Sequence, residues 1–149
     1  MTKIKICGLT RQEDALLAAG LGADFLGFIF VPSSPRFVEP ERAAAIAAPL
    51  RERATRPKFV GVFRDASPDY IRELASVVGL DMVHLHGTET NDDISAIGIP
   101  ALITFRVRHQ LPAPTTHPSQ QCFLFGPVST RRICAHDQRP PWPPVAPPP

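Results

Sequence analysis

The sequence predicts an α/β fold built on a parallel sheet, and three observations carry that expectation. Apolar runs recur with centres near positions 5, 27, 60, 83, 103 and 124. Helix-forming stretches with readable start and stop signals lie between them. The second run, from Asp24 to Val31, is apolar almost without a break, as a strand buried on both faces requires. A strand-then-helix beat of roughly 20–30 residues is the pattern of parallel α/β architecture.

Taken in order, Ile4, Ile6 and Cys7 alternate with Lys3 and Lys5 in a short strand stopped at Gly8. Thr10 then reads as a helix N-cap, with Glu13 completing a capping box, and the helix runs through Ala15–Ala19 to Gly20. The strand from Asp24 to Val31 is followed by a loop punctuated by Pro32 and Pro35. Pro40 suits the first turn of an Ala-rich helix that Pro49 is expected to end or kink. Lys58–Phe63 is the third strand. Ser67 and Pro68 open a third helix whose inner face is Ile71, Leu74, Ala75 and Val78, and Gly79 ends it. Asp81–His86 is the fourth strand, about Asp92–Ile97 a short helix, Pro100–Phe105 a fifth strand and Cys122–Phe125 a sixth.

Two closures fit this order, a doubly wound open sheet or an eight-stranded barrel. No strand is followed by a glycine-rich dinucleotide fingerprint or a phosphate P-loop, which favours the barrel over a nucleotide-binding fold. The expectation is therefore a parallel (βα)8 barrel of the TIM type, incomplete here, with about five to six strands and a disordered Pro-rich tail.

Charge and proline divide the chain. Residues 1–105 hold 11 Lys+Arg and 13 Asp+Glu, a net of −2, whereas 106–149 hold five Arg and one acid, Asp137, a net of +4. Seven of the last ten residues are proline. This predicts a barrel domain over 1–126 and a basic, extended tail over 127–149 with polyproline II character. The tail is either a ligand for an aromatic-lined groove or an end without a role of its own. Its arginines lack the interleaved aromatics of a nucleic-acid stacking platform. With 149 residues, three Cys, no long apolar run and no secretory-type N-terminus, the chain reads as a soluble cytoplasmic protein, neither membrane-bound nor disulfide-stapled.

Ligands of parallel α/β folds bind at the carboxyl ends of the strands. That rule selects Cys7, Arg36, Asp65, His84, His86, Arg106 and Gly126. A thiol near cationic groups is a useful base or nucleophile, although Cys is also a common small buried residue. Arg36 is either a bidentate clamp for a carboxylate or phosphate or a surface ion-pair partner. His84 and His86 are assigned to opposite faces of their strand, so that one alone faces the interior and a shared metal site is not expected. Cys134 and His136 lack a second ligand pair at zinc spacing.

Lys5-Ile-Cys-Gly-Leu-Thr10 resembles the opening of the phosphoribosylanthranilate isomerases, enzymes of tryptophan biosynthesis, and so does Gly27-Phe-Ile-Phe-Val-Pro-Ser-Ser-Pro-Arg36. Phe59–Phe63 and Val83-His-Leu-His-Gly87 match the next two strand motifs, so the resemblance covers about residues 3–106. It implies a (βα)8 barrel that rearranges N-(5-phosphoribosyl)anthranilate to 1-(2-carboxyphenylamino)-1-deoxyribulose 5-phosphate without cofactor or metal. It implies Cys7 as general base, Arg36 at the anthranilate end, and His86 lining the site. His84 stands where the family usually has glutamine. The resemblance also expects an aspartate general acid at the end of strand six, where this chain carries Gly126, and phosphate-binding loops after strands seven and eight, which the chain does not reach. Three expectations follow: the isomerase itself, an inactive truncated or frameshifted remnant of it, or a non-enzymatic protein whose Pro-rich tail binds a partner.

Overall fold

The computed structural model describes residues 3–107 and 122–127. Six strands form one sheet in the order β1-β2-β3-β4-β5-β6, and every neighbouring pair is parallel. They are β1 (Lys5–Cys7), β2 (Phe25–Ile29), β3 (Lys58–Phe63), β4 (Met82–Leu85), β5 (Ala101–Val107) and β6 (Cys122–Pro127). Helices α1 (Gln12–Gly20), α2 (Pro40–Arg51), α3 (Pro68–Val78) and α4 (Asn91–Ile97) link the first five. Spatial order that never departs from chain order puts successive right-handed crossovers on one side of the sheet. That decides between the two closures: the arrangement is barrel-type, since a doubly wound sheet reverses its order midway.

The register confirms which face is which. Leu26, Phe28, Phe59, Phe63, Val83, Leu85 and Ala101 share one side of the sheet and pack with Ala15, Ile46, Leu50, Ile71, Leu74, Val78, Ile94 and Ile97 of the helices in one core. Lys5, Cys7, Gly27, Val60, Val62, His84 and Leu102 line the opposite, inner side. The sheet is curled about that inner side. On a flat sheet β1 and β4 would lie about 14 Å apart, three strand spacings, yet Lys5 Nζ and His84 Nδ1 are 2.7 Å apart.

The helices follow their end signals with two exceptions. Ser67 Oγ accepts from the Tyr70 N–H and Gly79 takes the left-handed conformation at φ 64°, as expected for α3. The capping box expected at Thr10 and Glu13 does not form. Helix α1 starts one residue later, with Arg11 extended at the N-cap and without a side-chain cap. The Thr10 carbonyl instead accepts from Arg42 Nε at 3.2 Å, which ties the strand-end loop to α2. A capping box forms at α4, where Thr90 and Asp93 exchange side-chain and backbone hydrogen bonds. Helix α2 runs two residues past Pro49. A proline loses the bond to the carbonyl four residues back and crowds that carbonyl with its ring, and the helix stops within two residues of it.

Arg106 and Gly126, expected just beyond their strands, lie inside β5 and β6 and pair with each other in register. Pro127 ends β6. The proposed Pro-rich tail from 128 onward, including Cys134 and His136, lies outside the described residues. No helix among the described residues is long and apolar enough to cross a membrane.

Candidate active site at the strand ends

Each candidate reaches the carboxyl rim of the sheet by a separate local device. Strand β1 carries Lys5 and Cys7, two residues apart and therefore on the same face. The Cys7 sulfur lies over Gly27 of β2, its register partner, where an added Cβ would come within 2.7 Å of Sγ. Glycine at 27 is thus what leaves room for the thiol.

Arg36 arrives from the loop after β2. Its backbone N–H donates to Ser34 Oγ at 3.2 Å, and the loop returns to the sheet through the Val38 N–H, which donates to the Ile29 carbonyl at 3.1 Å. The exposed guanidinium lies against Gly8 and donates from Nη1 to the Cys7 carbonyl at 3.0 Å. This places the Arg36 cation against the backbone at the end of β1, where Cys7 stands.

The two histidines sit together, contrary to the opposite faces assigned to them. Residues two apart on a strand share a face, and the rings of His84 and His86 stand with centroids 4.0 Å apart. His84 is 5% exposed. Its Nδ1 faces Lys5 Nζ at 2.7 Å and His86 Nε2 at 3.3 Å, while its Nε2 faces Thr104 Oγ1 at 2.8 Å. An ammonium is only a donor, so Nδ1 is the acceptor, Nε2 carries the proton and donates it to Thr104, and His86 Nε2–H points at Nδ1. Burial, then the neighbouring Lys5 and His86, push the His84 imidazole down to about 3, so it is neutral. Among the described residues no group of three or more His, Cys, Asp or Glu is arranged to hold a metal ion.

Lys5 was not among the sequence candidates. Its same-face spacing with Cys7 was the signal available. Burial lowers its ammonium below the usual lysine range, against the raising effect of the neighbouring Cys7.

Asp65 serves as a tie between loops. It adopts φ 52°, and its Oδ1 accepts from the Thr88 N–H at 2.8 Å and from Thr88 Oγ1 at 3.0 Å. Glu89 answers from the other side, with Oε1 accepting from the Asp65 N–H at 2.8 Å and Oε2 from the Gly87 N–H at 2.9 Å. The Thr88 backbone and hydroxyl donors hold the Asp65 carboxyl below the usual carboxylate range. Gly87 has no space for a side chain, since a Cβ there would stand 2.6 Å from the Asp65 nitrogen. This clasp fixes the segment that begins at His86. Thr88, Glu89 and Thr104 were likewise missed in the sequence, because a supporting polar residue leaves no local pattern.

The family model for N-(5′-phosphoribosyl)anthranilate isomerase matches residues 4–125. The N-(5′-phosphoribosyl)anthranilate isomerase of Geobacter sp. strain M21 is 45% identical over 108 residues, covering 72% of this chain and 52% of the relative. The crystal structure of phosphoribosyl anthranilate isomerase from Thermus thermophilus superposes with a TM-score of 0.70 at 37% identity, over 83% of this chain and 62% of that one. A phosphoribosyl anthranilate isomerase solved in complex with reduced 1-(o-carboxyphenylamino)-1-deoxyribulose 5-phosphate superposes with a TM-score of 0.67 at 38% identity, over 72% of this chain and 55% of that one. The chain thus spans about half the length of the curated relatives it matches. On this match, the one-sided parallel sheet and the strand-end motifs that carry Cys7, Arg36 and His86, the chain belongs to the phosphoribosylanthranilate isomerase family.

Proposed function

We propose that this chain supplies the base-bearing side of a phosphoribosylanthranilate isomerase and acts in the Amadori rearrangement of N-(5-phosphoribosyl)anthranilate to 1-(2-carboxyphenylamino)-1-deoxyribulose 5-phosphate, as a cytoplasmic step of tryptophan biosynthesis. The carrying observation is the Cys7 thiol at the rim, seated over Gly27 with the Arg36 guanidinium bonded to its own carbonyl. In the reaction the ribose ring opens to a Schiff base, a base removes the C2 proton, and the enolamine settles as the ketone. Cys7 is the base. Arg36 grips the anthranilate carboxylate, for which a planar fork is the matching donor. His86 and the neutral His84 stand side by side on the concave face that also carries Cys7.

A family member that binds the reduced product analogue supports this substrate class. Gly126, at the position where the resemblance expects the acid, has no side chain to give a proton, so protonation of the ring oxygen falls to another donor. The test is the loss of phosphoribosylanthranilate fluorescence on mixing with purified chain. The expected result is turnover that Cys7→Ala lowers by about 10²–10⁴. Equal rates for the two proteins overturn the reading.

A further inference from the structure

The proposed reaction leaves Lys5 unused, although it stands on the concave face two residues inward of Cys7 on the same strand. Same-face neighbours on a strand are roughly 7 Å apart along it. Lys5 Nζ donates to His84 Nδ1 at 2.7 Å, and the far side of that ring donates from Nε2 to Thr104 Oγ1 at 2.8 Å. The two bonds hold the imidazole from both ends, so β1, β4 and β5 together set where the ammonium sits. Its partner is neutral, because an imidazole nitrogen that faces an ammonium must accept. Among the described residues no carboxylate forms an ion pair with Lys5. A half-buried positive charge held by a neutral acceptor, and balanced by no acid, attracts an electron-rich atom of a ligand.

Building on the role proposed for Cys7, we propose that Lys5 is a substrate-binding residue: its ammonium, held on the imidazole of His84, donates a hydrogen bond to the oxygen on C2 of the opened sugar. The base takes its proton from C2, so that carbon lies at Cys7 and the oxygen it bears is one bond away. Lys5 is the next residue inward on that face. The oxygen begins as a hydroxyl and ends as the ketone. On the way it gives up its proton while C1 gains one, and negative charge grows on it. A fixed ammonium stabilises that charge more than it stabilises the neutral hydroxyl.

The experiment measures calorimetric binding of two probes to the full chain. One is reduced 1-(o-carboxyphenylamino)-1-deoxyribulose 5-phosphate, which keeps an oxygen on C2, and the other is the same compound without that oxygen. Lys5→Met is expected to weaken the first about 10- to 100-fold and to leave the second unchanged, so that the two deletions are not additive. His84→Leu, which leaves Lys5 in place without its brace, weakens the first to a smaller extent and again spares the second. That variant keeps the test open should Lys5→Met fail to fold. A folded variant that weakens both probes by the same factor, or neither, overturns the proposal. So does a wild-type chain that binds the two probes equally or binds neither. Binding requires no turnover. Lys5-dependent, probe-selective binding in a chain whose turnover is indifferent to Cys7→Ala therefore removes only the catalytic reading, and Cys7-dependent turnover with Lys5-independent binding removes only this one.

Discussion

His84 holds an unprotonated imidazole in a site with no room to charge it, and that has a cost in acid. Its folded value of about 3 lies below its ordinary value of 6.5. Between those two limits the unfolded chain binds a proton that the folded chain refuses, so stability rises with pH across the window and falls on acidification. The slope is about 1.4 kcal/mol per pH unit. From pH 7.5 to 4.5 the folded state should thus lose about 2–3 kcal/mol through this one residue. His84→Gln, the amide usual in the family, should flatten that part of a urea-denaturation series. Equal losses in wild type and variant would rule the explanation out. The carboxylates of Asp24, Asp65, Asp81 and Asp93, all held below their ordinary 3.8, act in a more acidic window and do not obscure the measurement. Cys7, Arg36 and the histidines were legible because they stand at strand ends within motifs. The pairing of His84 with His86 was open to the same-face rule, and its depth of burial was not, since that depends on β1 and β5 arriving from distant parts of the chain.

At the scale of elements, the two ends of the strands do different work. The amino ends are tied for stability. Burial pushes the Asp81 carboxyl up, but the Arg56 fork and the Phe59 N–H outweigh it and hold the group below its ordinary range. Both guanidinium bonds are 2.7 Å, the Phe59 N–H bond is also 2.7 Å, and Arg56 stacks over the Phe59 ring at 5.1 Å. Together they join the starts of β3 and β4. Asp81→Ala should cost about 1–3 kcal/mol in chemical denaturation and leave the rate of Cys7 alkylation unchanged. A slowed thiol in that variant would show that the two ends are not independent. Elements with explicit punctuation, such as α3 between Ser67 and Gly79, could be read to the residue. Helix α1 could not, because the competing partner for Thr10 is Arg42, which no local window contains.

For the whole molecule, the order of the sheet followed from the regular beat of strand and helix, whereas the choice of barrel-type winding needed the spatial order itself. Among the described residues β1 pairs only with β2. Ile4 and Ile6 beside that edge, and Leu17 and Leu21 at α1, are 40–79% exposed. Large apolar side chains exposed together favour association. The purified chain should therefore self-associate as concentration rises, and Ile6→Lys with Leu17→Glu should reduce this in sedimentation velocity. A sharp, concentration-independent monomer would contradict it. The clasp of Asp65 with Thr88 and Glu89 has its own reach at this scale. It yokes the rim segments after β3 and β4 into one stiff span, so an insertion engineered into either would tilt both and carry the His86 ring along with them.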